Sequence, residues 1–177
     1  MVKEYLNKRY AGIGSRSTPK VVLKEMKNTA IKLAEIGFEL YSGGASGADK
    51  AFEEGSKEGG GSQRIFYPNE NYDPKVWEKA LEIASRMHES GDVSKVKGTN
   101  LLTRNVFQIL GEDLNSPVSF VLCYCPRDKL GKLKGGTRLG INLAKENKIP
   151  ILNLYDISYT EMRSELIKLI CKTSIEK

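Results

Sequence analysis

Short apolar runs alternate with longer amphipathic segments along most of the chain. Apolar runs bounded by turn residues are typical of buried strands, whereas apolar positions spaced three and four apart predict helices. The predicted strands are Arg9–Ile13, Phe38–Tyr41, Arg64–Tyr67, Val118–Tyr124 and Pro150–Leu154. The predicted helices are Lys20–Ile36, Ala48–Glu58, Pro74–Glu89, Leu101–Gly111, Thr137–Asn147 and Tyr159–Cys171.

This order of elements predicts an α/β fold. Strands that are separated by helices favour right-handed crossovers, and these build a doubly wound, mostly parallel sheet. The chain has 177 residues, which is the size of one domain, so we expect a single domain over residues 1–177. Ligands of such sheets bind at the carboxyl ends of the strands, near the point where the strand order reverses.

Three loops of small residues follow predicted strands and lead into predicted helices. They are Tyr10–Pro19, Leu40–Asp49 and Lys134–Thr137. Glycines let a backbone approach a ligand closely, and the first N–H groups of a helix have no partner within the helix. Each loop therefore predicts an anion site, and three on one sheet edge predict a composite site for a nucleotide.

Two threonines are expected to cap the helices that follow these loops. Thr18 precedes Pro19, which is favoured at the first position of a helix, so Thr18 is the predicted N-cap of the first helix. Thr137 is predicted to cap its own helix and also to contact phosphate.

Two arginines are placed to bind an anion. Arg16 follows Gly14 and Ser15, where a guanidinium can fork onto a phosphate or instead form an ion pair within the loop. Arg104 stands between Thr103 and Asn105 at the head of an otherwise apolar helix. These three polar residues are expected to face a site rather than the core.

Two carboxylates are candidate catalytic residues. Asp49 and Glu53 are four residues apart on one predicted helix and therefore share a face. Asp49 lies in the first turn, where it can brace the loop or hold a ribose hydroxyl. Glu53 or its neighbour Glu54 can act as a general base or remain a solvated surface residue.

The composition narrows the range of partners. Lys and Arg number 28 and Asp and Glu number 22, giving a net charge of +6, which permits nucleic acid or a polyphosphate ligand. Lys129, Lys132 and Lys134 form the densest basic cluster, either facing phosphate or solvated. No apolar stretch has membrane-spanning length, and the N-terminus lacks the apolar region of a signal peptide. We therefore expect a cytoplasmic protein with no membrane partner.

Metal and dinucleotide cofactors are not predicted. The chain has three cysteines and one histidine, and Cys123 and Cys125 are too close together for the usual zinc spacing. We expect Cys123 to be a buried thiol and Cys125 to lie near a pocket. The first loop carries Ser17 at the third glycine of the dinucleotide-binding pattern, which disfavours an NAD dehydrogenase.

Two further segments carry expectations. Ser90–Asn100 is a polar connection between helices, either a mobile lid over the site or a plain surface loop. Leu101–Leu110 has more apolar surface than contact with one sheet face requires, so we expect a homodimer or larger homo-oligomer.

Four motifs in order resemble the SLOG superfamily of Rossmann-like proteins. They are Gly12–Arg16, Ser42–Asp49, Thr103–Asn105 and Gly135–Thr137. The resemblance covers most of the chain and is closest to small stand-alone relatives of DNA-processing protein A, which are often phage-encoded. It implies self-association and a site that binds nucleotides, including signalling nucleotides.

The superfamily also implies two other activities. Lonely-guy phosphoribohydrolases cleave the N-glycosidic bond of nucleoside 5′-monophosphates, and their arginine matches Arg104. Their glutamate falls at Gly140 here, so Asp49 or Glu53 would have to replace it, and we expect weak or absent hydrolysis. DNA-processing protein A binds single-stranded DNA, and its glycine-rich stretch resembles Ser42–Asp49.

The sequence thus predicts a protein that binds a phosphorylated nucleoside or nucleotide derivative, with no cofactor. Alternatives are a nucleoside 5′-monophosphate N-glycosidase and a single-stranded DNA binder. The predicted ligand-binding residues are Gly14, Ser15, Arg16, Ser42, Gly43, Gly44, Ala45, Asp49, Arg104, Asn105, Gly135, Gly136 and Thr137.

Overall fold

The structure, a computed structural model, describes residues 8–172, in which five strands alternate with six helices. The strands are β1 (Arg9–Gly14), β2 (Glu39–Ser42), β3 (Gln63–Ile65), β4 (Phe120–Tyr124) and β5 (Ile151–Asn153). The helices are α1 (Lys20–Glu35), α2 (Ala48–Glu58), α3 (Pro74–Met87), α4 (Thr99–Leu110), α5 (Thr137–Glu146) and α6 (Tyr159–Lys172). None of the helices within residues 8–172 has the length and apolar character needed to cross a membrane.

The five strands form one parallel sheet in the order β3-β2-β1-β4-β5. The predicted doubly wound α/β fold is therefore confirmed. The chain builds the sheet outward from β1 to β3, then returns to the other side of β1 with β4. The strand order thus reverses between β1 and β4, and loops leaving these two strands diverge to open a crevice at their carboxyl ends.

Alternating side chains of the central strands pack into two apolar layers, one on each face of the sheet. Tyr10 of β1 and Phe120 of β4 lie in the layer that α1, α2 and α6 cover. Ala11 and Ile13 of β1 lie in the layer that α3, α4 and α5 cover. Because both faces are buried, the central strands are apolar from Tyr10 to Ile13 and from Phe120 to Cys123, which is why their positions are readable from the sequence.

Both predicted threonine caps are wrong. The structure places Pro19, not Thr18, at the cap of α1, and the Thr18 hydroxyl donates to the Ser15 carbonyl oxygen at 2.6 Å. That bond closes the turn after β1, so the hydroxyl is not free for the helix. Thr137 is the first residue of α5 behind Gly136, and no side chain caps this helix.

Most of the apolar surface of α4 is covered within one chain, and Leu101 is 37% exposed. Val106, Phe107 and Ile109 are fully buried, and the Phe107 ring stacks on those of Tyr72 and Trp77 at centroid distances of 4.6 and 6.0 Å. The apolar surface left for a second copy is therefore smaller than the sequence suggested, and self-association stays a prediction.

The Tyr10 hydroxyl leads to a stability prediction. It is buried between Phe52 and Phe120 and has no hydrogen-bond partner within residues 8–172, and burial raises its pKa. An unsatisfied buried hydroxyl costs about 1–3 kcal/mol, so Tyr10→Phe should raise the free energy of unfolding by about 1 kcal/mol in urea denaturation. Tyr72→Phe is the control. The Tyr72 hydroxyl donates to the Tyr67 carbonyl oxygen at 2.9 Å, so this variant should be destabilised. Destabilisation of both variants would contradict the prediction.

Candidate functional site

A cavity of about 740 Å³ lies at the carboxyl edge of the sheet, where the strand order reverses. The loop after β1, the start of α2, the end of α3, one face of α4 and the loop before α5 form its walls. The predicted site residues that line it are Gly14, Ser15, Arg16, Ala45, Asp49, Arg104, Asn105, Gly135, Gly136 and Thr137. Residues from all three predicted anion loops therefore meet at one cavity.

Four other candidates do not line this cavity: Ser42, Gly43, Gly44 and Glu53. Ser42 is fully buried and donates to the Gly12 carbonyl oxygen at 2.6 Å. A Cβ atom on Gly43 would overlap the Arg104 guanidinium, and one on Gly44 would lie 2.9 Å from the Tyr67 ring. These glycines make room for side chains of the protein itself, behind the cavity wall.

Glu53 lies on α2, outside the cavity. One carboxylate oxygen pairs with Lys50 at 2.9 Å, and the other is buried without a hydrogen-bond partner within residues 8–172. Asp49 and Glu53, the two catalytic candidates, therefore do not act on one ligand in this arrangement.

The Asp49 carboxylate occupies the N-terminus of α2. It accepts hydrogen bonds from the backbone N–H groups of Gly14 at 3.1 Å and Ala45 at 3.4 Å. The Ala48 N–H donates to the Ser15 carbonyl oxygen at 3.3 Å. Bracing, one of the two roles predicted for Asp49, is thus observed. The positive end of the α2 helix dipole is therefore already paired with a negative group of the protein, the Asp49 carboxylate.

Burial raises the pKa of Asp49 to about 6, although the Arg104 guanidinium and three backbone N–H groups favour the charged form. Desolvation therefore outweighs the attraction of the guanidinium. The result is a carboxylate at the cavity floor that changes its protonation near neutral pH.

Arg104 is buried beside Asp49 and is only partly neutralised. The residue is 4% exposed, its Nη1 lies 4.0 Å from Asp49 Oδ2, and burial lowers its pKa. Its Nε–H group has no acceptor within residues 8–172. A buried guanidinium with an unused donor at a cavity wall favours an anionic ligand, because desolvated charge that lacks full pairing is costly.

Gln108 holds Arg104 in place and was not among the predicted site residues. In the amide orientation that satisfies both of its polar atoms, the oxygen accepts from Arg104 Nη1 at 2.8 Å and from Gly43 N at 2.7 Å. The nitrogen donates to Asn105 Oδ1 at 3.0 Å. Gln108 is four residues after Arg104 on one helix, so a spacing signal for it existed.

Of the polar residues that head α4, two reach the site. Asn105 Nδ2 donates to the Gly136 carbonyl oxygen at 3.1 Å and ties α4 to the loop before α5. Thr103 is fully buried and donates to the Thr99 carbonyl oxygen at 2.9 Å, so it does not line the cavity.

The N-terminus of α5 presents free donors to the cavity. The backbone N–H groups of Gly136 and Thr137 have no acceptor in the described part of the chain. Gly135 has φ +74°, a left-handed conformation that turns the loop into the helix. The amides and the positive end of the helix dipole together make a cradle for a negative group.

A network from β5 supports this loop. The Asn153 side chain accepts from Cys125 N at 2.8 Å and donates to Cys125 O at 3.0 Å, as a neighbouring strand would. Asp156 accepts two bonds from the Arg127 guanidinium, each of 2.8 Å. The partners are 28 and 29 residues apart in sequence, so no local pattern indicates these contacts.

Cations surround the cavity. Arg16, Lys97 and Lys134 line it, and none of them has a carboxylate within ion-pair distance among residues 8–172. Of the predicted lysine cluster only Lys134 lines the cavity; Lys129 and Lys132 do not. The predicted ion pair of Arg16 within its loop is not observed.

The Ser90–Asn100 connection contributes to the wall through Val96, Lys97 and Gly98. It is anchored by Val93, which is fully buried and donates from its backbone to Ser85 Oγ at 3.1 Å. Its role as a mobile lid stays a prediction, but it is more than a plain surface loop.

An apolar surface completes the cavity and was not predicted. It consists of Met87, Val96, Leu101, Leu102, Leu133 and Leu139. These side chains come from α3, α4, α5 and the connecting loops, and no local pattern brings them together. They offer the kind of surface on which a flat ring packs.

The cysteines and the histidine form no metal site. Cys123 and Cys125 are buried, and burial raises the pKa of both thiols. Cys125 was expected near a pocket, but neither cysteine lines the cavity. His88 lies at the cavity with Nδ1 at 2.8 Å from Ser90 Oγ. Within residues 8–172, no group of His, Cys, Asp and Glu side chains is arranged to hold a metal ion.

Gly140 is buried in α5 against the sheet. A Cβ atom there would lie 3.1 Å from Ile13 Cδ1 and 3.6 Å from Ile109 Cδ1. The position at which lonely-guy enzymes carry their glutamate therefore faces apolar side chains in this protein.

Comparison of the chain with protein-family models, with curated proteins and with solved structures finds no match. The function is accordingly inferred from the cavity and its residues.

Arg104 gives a binding prediction. Arg104→Ala should weaken nucleotide binding at least tenfold, and Arg104→Lys should not restore it, because an ammonium cannot reproduce two donors in one plane. Isothermal titration calorimetry on folded variants measures both. Gly43→Ala is the comparison variant. The added methyl group would displace the Arg104 guanidinium while the charge of Arg104 is kept. Full affinity of the lysine variant would indicate simple charge attraction instead.

Proposed function

We propose that this protein binds a phosphorylated nucleoside or nucleotide derivative in the cavity between β1 and β4. One observation carries the proposal: three cations with no ion-pair partner within residues 8–172 line the same cavity as the first N–H groups of α5, which have no acceptor within those residues. Backbone donors at a helix N-terminus, together with nearby cations, are a combination that binds phosphate.

The remaining walls suit the rest of a nucleotide. The six apolar side chains offer a surface for a base, and Asp49, Asn105 and Gln108 offer polar partners in the same cavity. A volume of about 740 Å³ lies in the range of small-molecule sites, about 300–1,000 Å³. The proposed ligand therefore places its phosphate at α5 and its base on the apolar surface.

The membership of the SLOG superfamily is part of this proposal. Its support is that residues from all four motifs line one cavity, although they are far apart in the chain. Gly14–Arg16, Asp49, Arg104 and Gly135–Thr137 contribute to the same walls.

Hydrolysis of a nucleoside monophosphate is the second candidate function. It is favoured by Asp49, a buried carboxylate at the cavity whose pKa is raised to about 6, in the range of a general acid or base. Against it stand the backbone bonds that already hold Asp49 and the apolar surroundings of Gly140.

Binding of single-stranded DNA is less favoured. Non-specific single-strand binders stack bases on aromatic side chains. No Phe, Tyr or Trp is among the described residues that line this cavity.

A nucleotide screen tests the proposal and the second candidate together. Nucleosides and their mono-, di- and triphosphates are compared by thermal shift, and each mixture is then separated by chromatography. We expect a rise in melting temperature with at least one phosphorylated compound and none with its parent nucleoside. Equal shifts with nucleoside and nucleotide, or none at all, would contradict the proposed phosphate site.

The same chromatograms carry a prediction about catalysis. We expect no release of free base above about 0.1 s⁻¹, a tenth of the low end of ordinary turnover. Faster release that is lost in Asp49→Asn would establish the hydrolase instead. Glu53→Gln is the matched control, because Glu53 lies outside the cavity on the same helix.

A further inference from the structure

We propose that Arg138 is a further phosphate-binding residue, and that Glu89 occupies its guanidinium until a terminal phosphate of the ligand replaces the Glu89 carboxylate. This inference rests on the proposed function. Arg138 was not among the predicted site residues, and neither was Glu89.

The position of Arg138 favours this role. It is the second residue of α5, directly after Gly136 and Thr137, whose N–H groups have no acceptor within residues 8–172, and it lines the cavity with them. The buried cation Arg104, whose Nε–H has no acceptor within the same residues, also lines the cavity, a second indication that the space takes an anion.

Arg138 and Glu89 form a two-pronged pair across the cavity edge. Arg138 Nη1 donates to Glu89 Oε2 at 3.1 Å, and Nη2 lies 3.1 Å from Oε1. The guanidinium thereby lowers the pKa of the Glu89 carboxyl group. Two parallel bonds to a planar carboxylate use the same donors that a guanidinium offers to phosphate.

The pair is built to exchange. The Glu89 side chain is 71% exposed and the Arg138 side chain 27%, so solvent screens the attraction and the carboxylate is easily released. A phosphate on the α5 amides would meet Arg138 at once and gain contacts that Glu89 does not make. The exchange favours a terminal phosphate, which carries up to two negative charges, over an internal phosphodiester with one.

A second pair provides a matched control. Arg86 of α3 and Glu146 of α5 are also 3.1 Å apart, but neither residue lines the cavity. Glu146→Gln therefore removes an equal charge from another ion pair with α5, without freeing a residue of the site.

The test compares binding of inorganic phosphate, measured by ³¹P line broadening and thermal shift at fixed low salt, across wild type and four variants. The variants are Glu89→Gln, Glu146→Gln, Arg138→Gln and the double variant Glu89→Gln/Arg138→Gln. We expect Glu89→Gln to tighten phosphate binding about two- to fivefold, the range of an exposed ion pair. Glu146→Gln should have no effect, and Arg138→Gln should weaken binding.

The double variant identifies the mechanism. If Glu89 acts by occupying Arg138, its removal has no effect once Arg138 is gone. If Glu89→Gln tightens phosphate binding as much in the Arg138→Gln protein as in the wild type, its effect is only the loss of a nearby negative charge. That result would overturn the inference. Dimethyl phosphate, a diester with one charge, should bind more weakly than inorganic phosphate to Glu89→Gln, and equal binding would overturn the preference for a terminal phosphate.

Failure of the inference is distinguishable from failure of the proposed function. Phosphate binding that responds to Gly136→Asp but not to Glu89→Gln or Arg138→Gln retains the site and overturns the exchange. Absence of phosphate binding in every protein, Glu89→Gln included, overturns both. Binding by Glu89→Gln alone supports the exchange, with Glu89 as the competitor.

Discussion

Replacing Gly136 by aspartate is expected to abolish binding of the phosphorylated ligand while the fold is retained. Gly136 has helical dihedral angles, φ −65° and ψ −28°, which any residue adopts. A Cβ atom there has open space, with Asn105 Nδ2 nearest at 3.7 Å. The new carboxylate would lie at the free N–H groups of α5, where it takes the place of the phosphate and repels it.

The expected loss is about 3 kcal/mol or more, roughly a hundredfold in affinity, since charge-assisted hydrogen bonds contribute about 1.5–3 kcal/mol each. Calorimetry with the nucleotide that gives the largest thermal shift measures it, and circular dichroism checks the fold. Gly136→Asn is the control, because it has nearly the same size and no charge, and it should retain more affinity than the aspartate variant. Unchanged affinity in a folded Gly136→Asp protein would remove this loop from the site.

Asp49 is expected to make the protein less stable as the pH rises from about 4 to 7. Its pKa is raised from 3.8 to about 6 in the folded state, so the folded protein binds this proton more tightly than the unfolded chain does. The contribution to stability is therefore full below about pH 3.8 and is lost as the pH rises through 6. The shift corresponds to up to about 3 kcal/mol at 1.36 kcal/mol per pKa unit.

Urea unfolding of wild type and Asp49→Asn between pH 4 and 7 measures this contribution as the difference between two curves. The wild type should lose stability relative to the asparagine variant as the pH rises. Asp113→Asn should give a pH dependence of opposite sign. The backbone N–H of Asn115 donates to Asp113 and lowers its pKa, so the contribution of Asp113 to stability is lost on acidification. Parallel curves for wild type and Asp49→Asn would show that Asp49 is not desolvated as the structure has it.

The sequence predicted the fold through the central strands. The interiors of β1 and β4 are buried on both faces and are therefore apolar, and the strands are separated by amphipathic helices. Boundaries differ where distant contacts decide them. Phe66 and Tyr67 were expected in a strand, but β3 ends at Ile65, and Phe66 leaves the sheet to stack near Phe107 at 6.1 Å.

The glycine loops were a good guide to where the cavity lies and a poorer guide to what each loop does. A glycine indicates that some group approaches the backbone closely, but not whether that group is a ligand or a side chain of the protein. At Gly43 the approaching group is Arg104, and at the start of α2 the anion is the carboxylate of Asp49. At Gly136 the space is open, so this loop can offer its N–H donors to a ligand.

The site residues that were not predicted are of two kinds, those with a local sequence pattern that indicates them and those without one. Gln108 follows Arg104 at helical spacing and was within reach of sequence reasoning. Glu89 and Arg138 come from different elements, 49 residues apart, and only the packing of α3 beside α5 brings them together. The apolar surface of the cavity is of the same kind, because its members share no element.

The support that Asn153 gives to the loop before α5 bears on the order in which the protein is assembled during synthesis. Among residues 8–172, those that line the cavity all lie at or before Leu139, so they are synthesised before β5. Asn153 pairs with the backbone of Cys125, where β4 passes into the segment that leads to Gly136. A ribosome-bound chain arrested before residue 150 therefore carries every wall of the cavity yet lacks the residue that fixes one of them. We therefore expect the protein to bind its proposed ligand only after β5 has been synthesised.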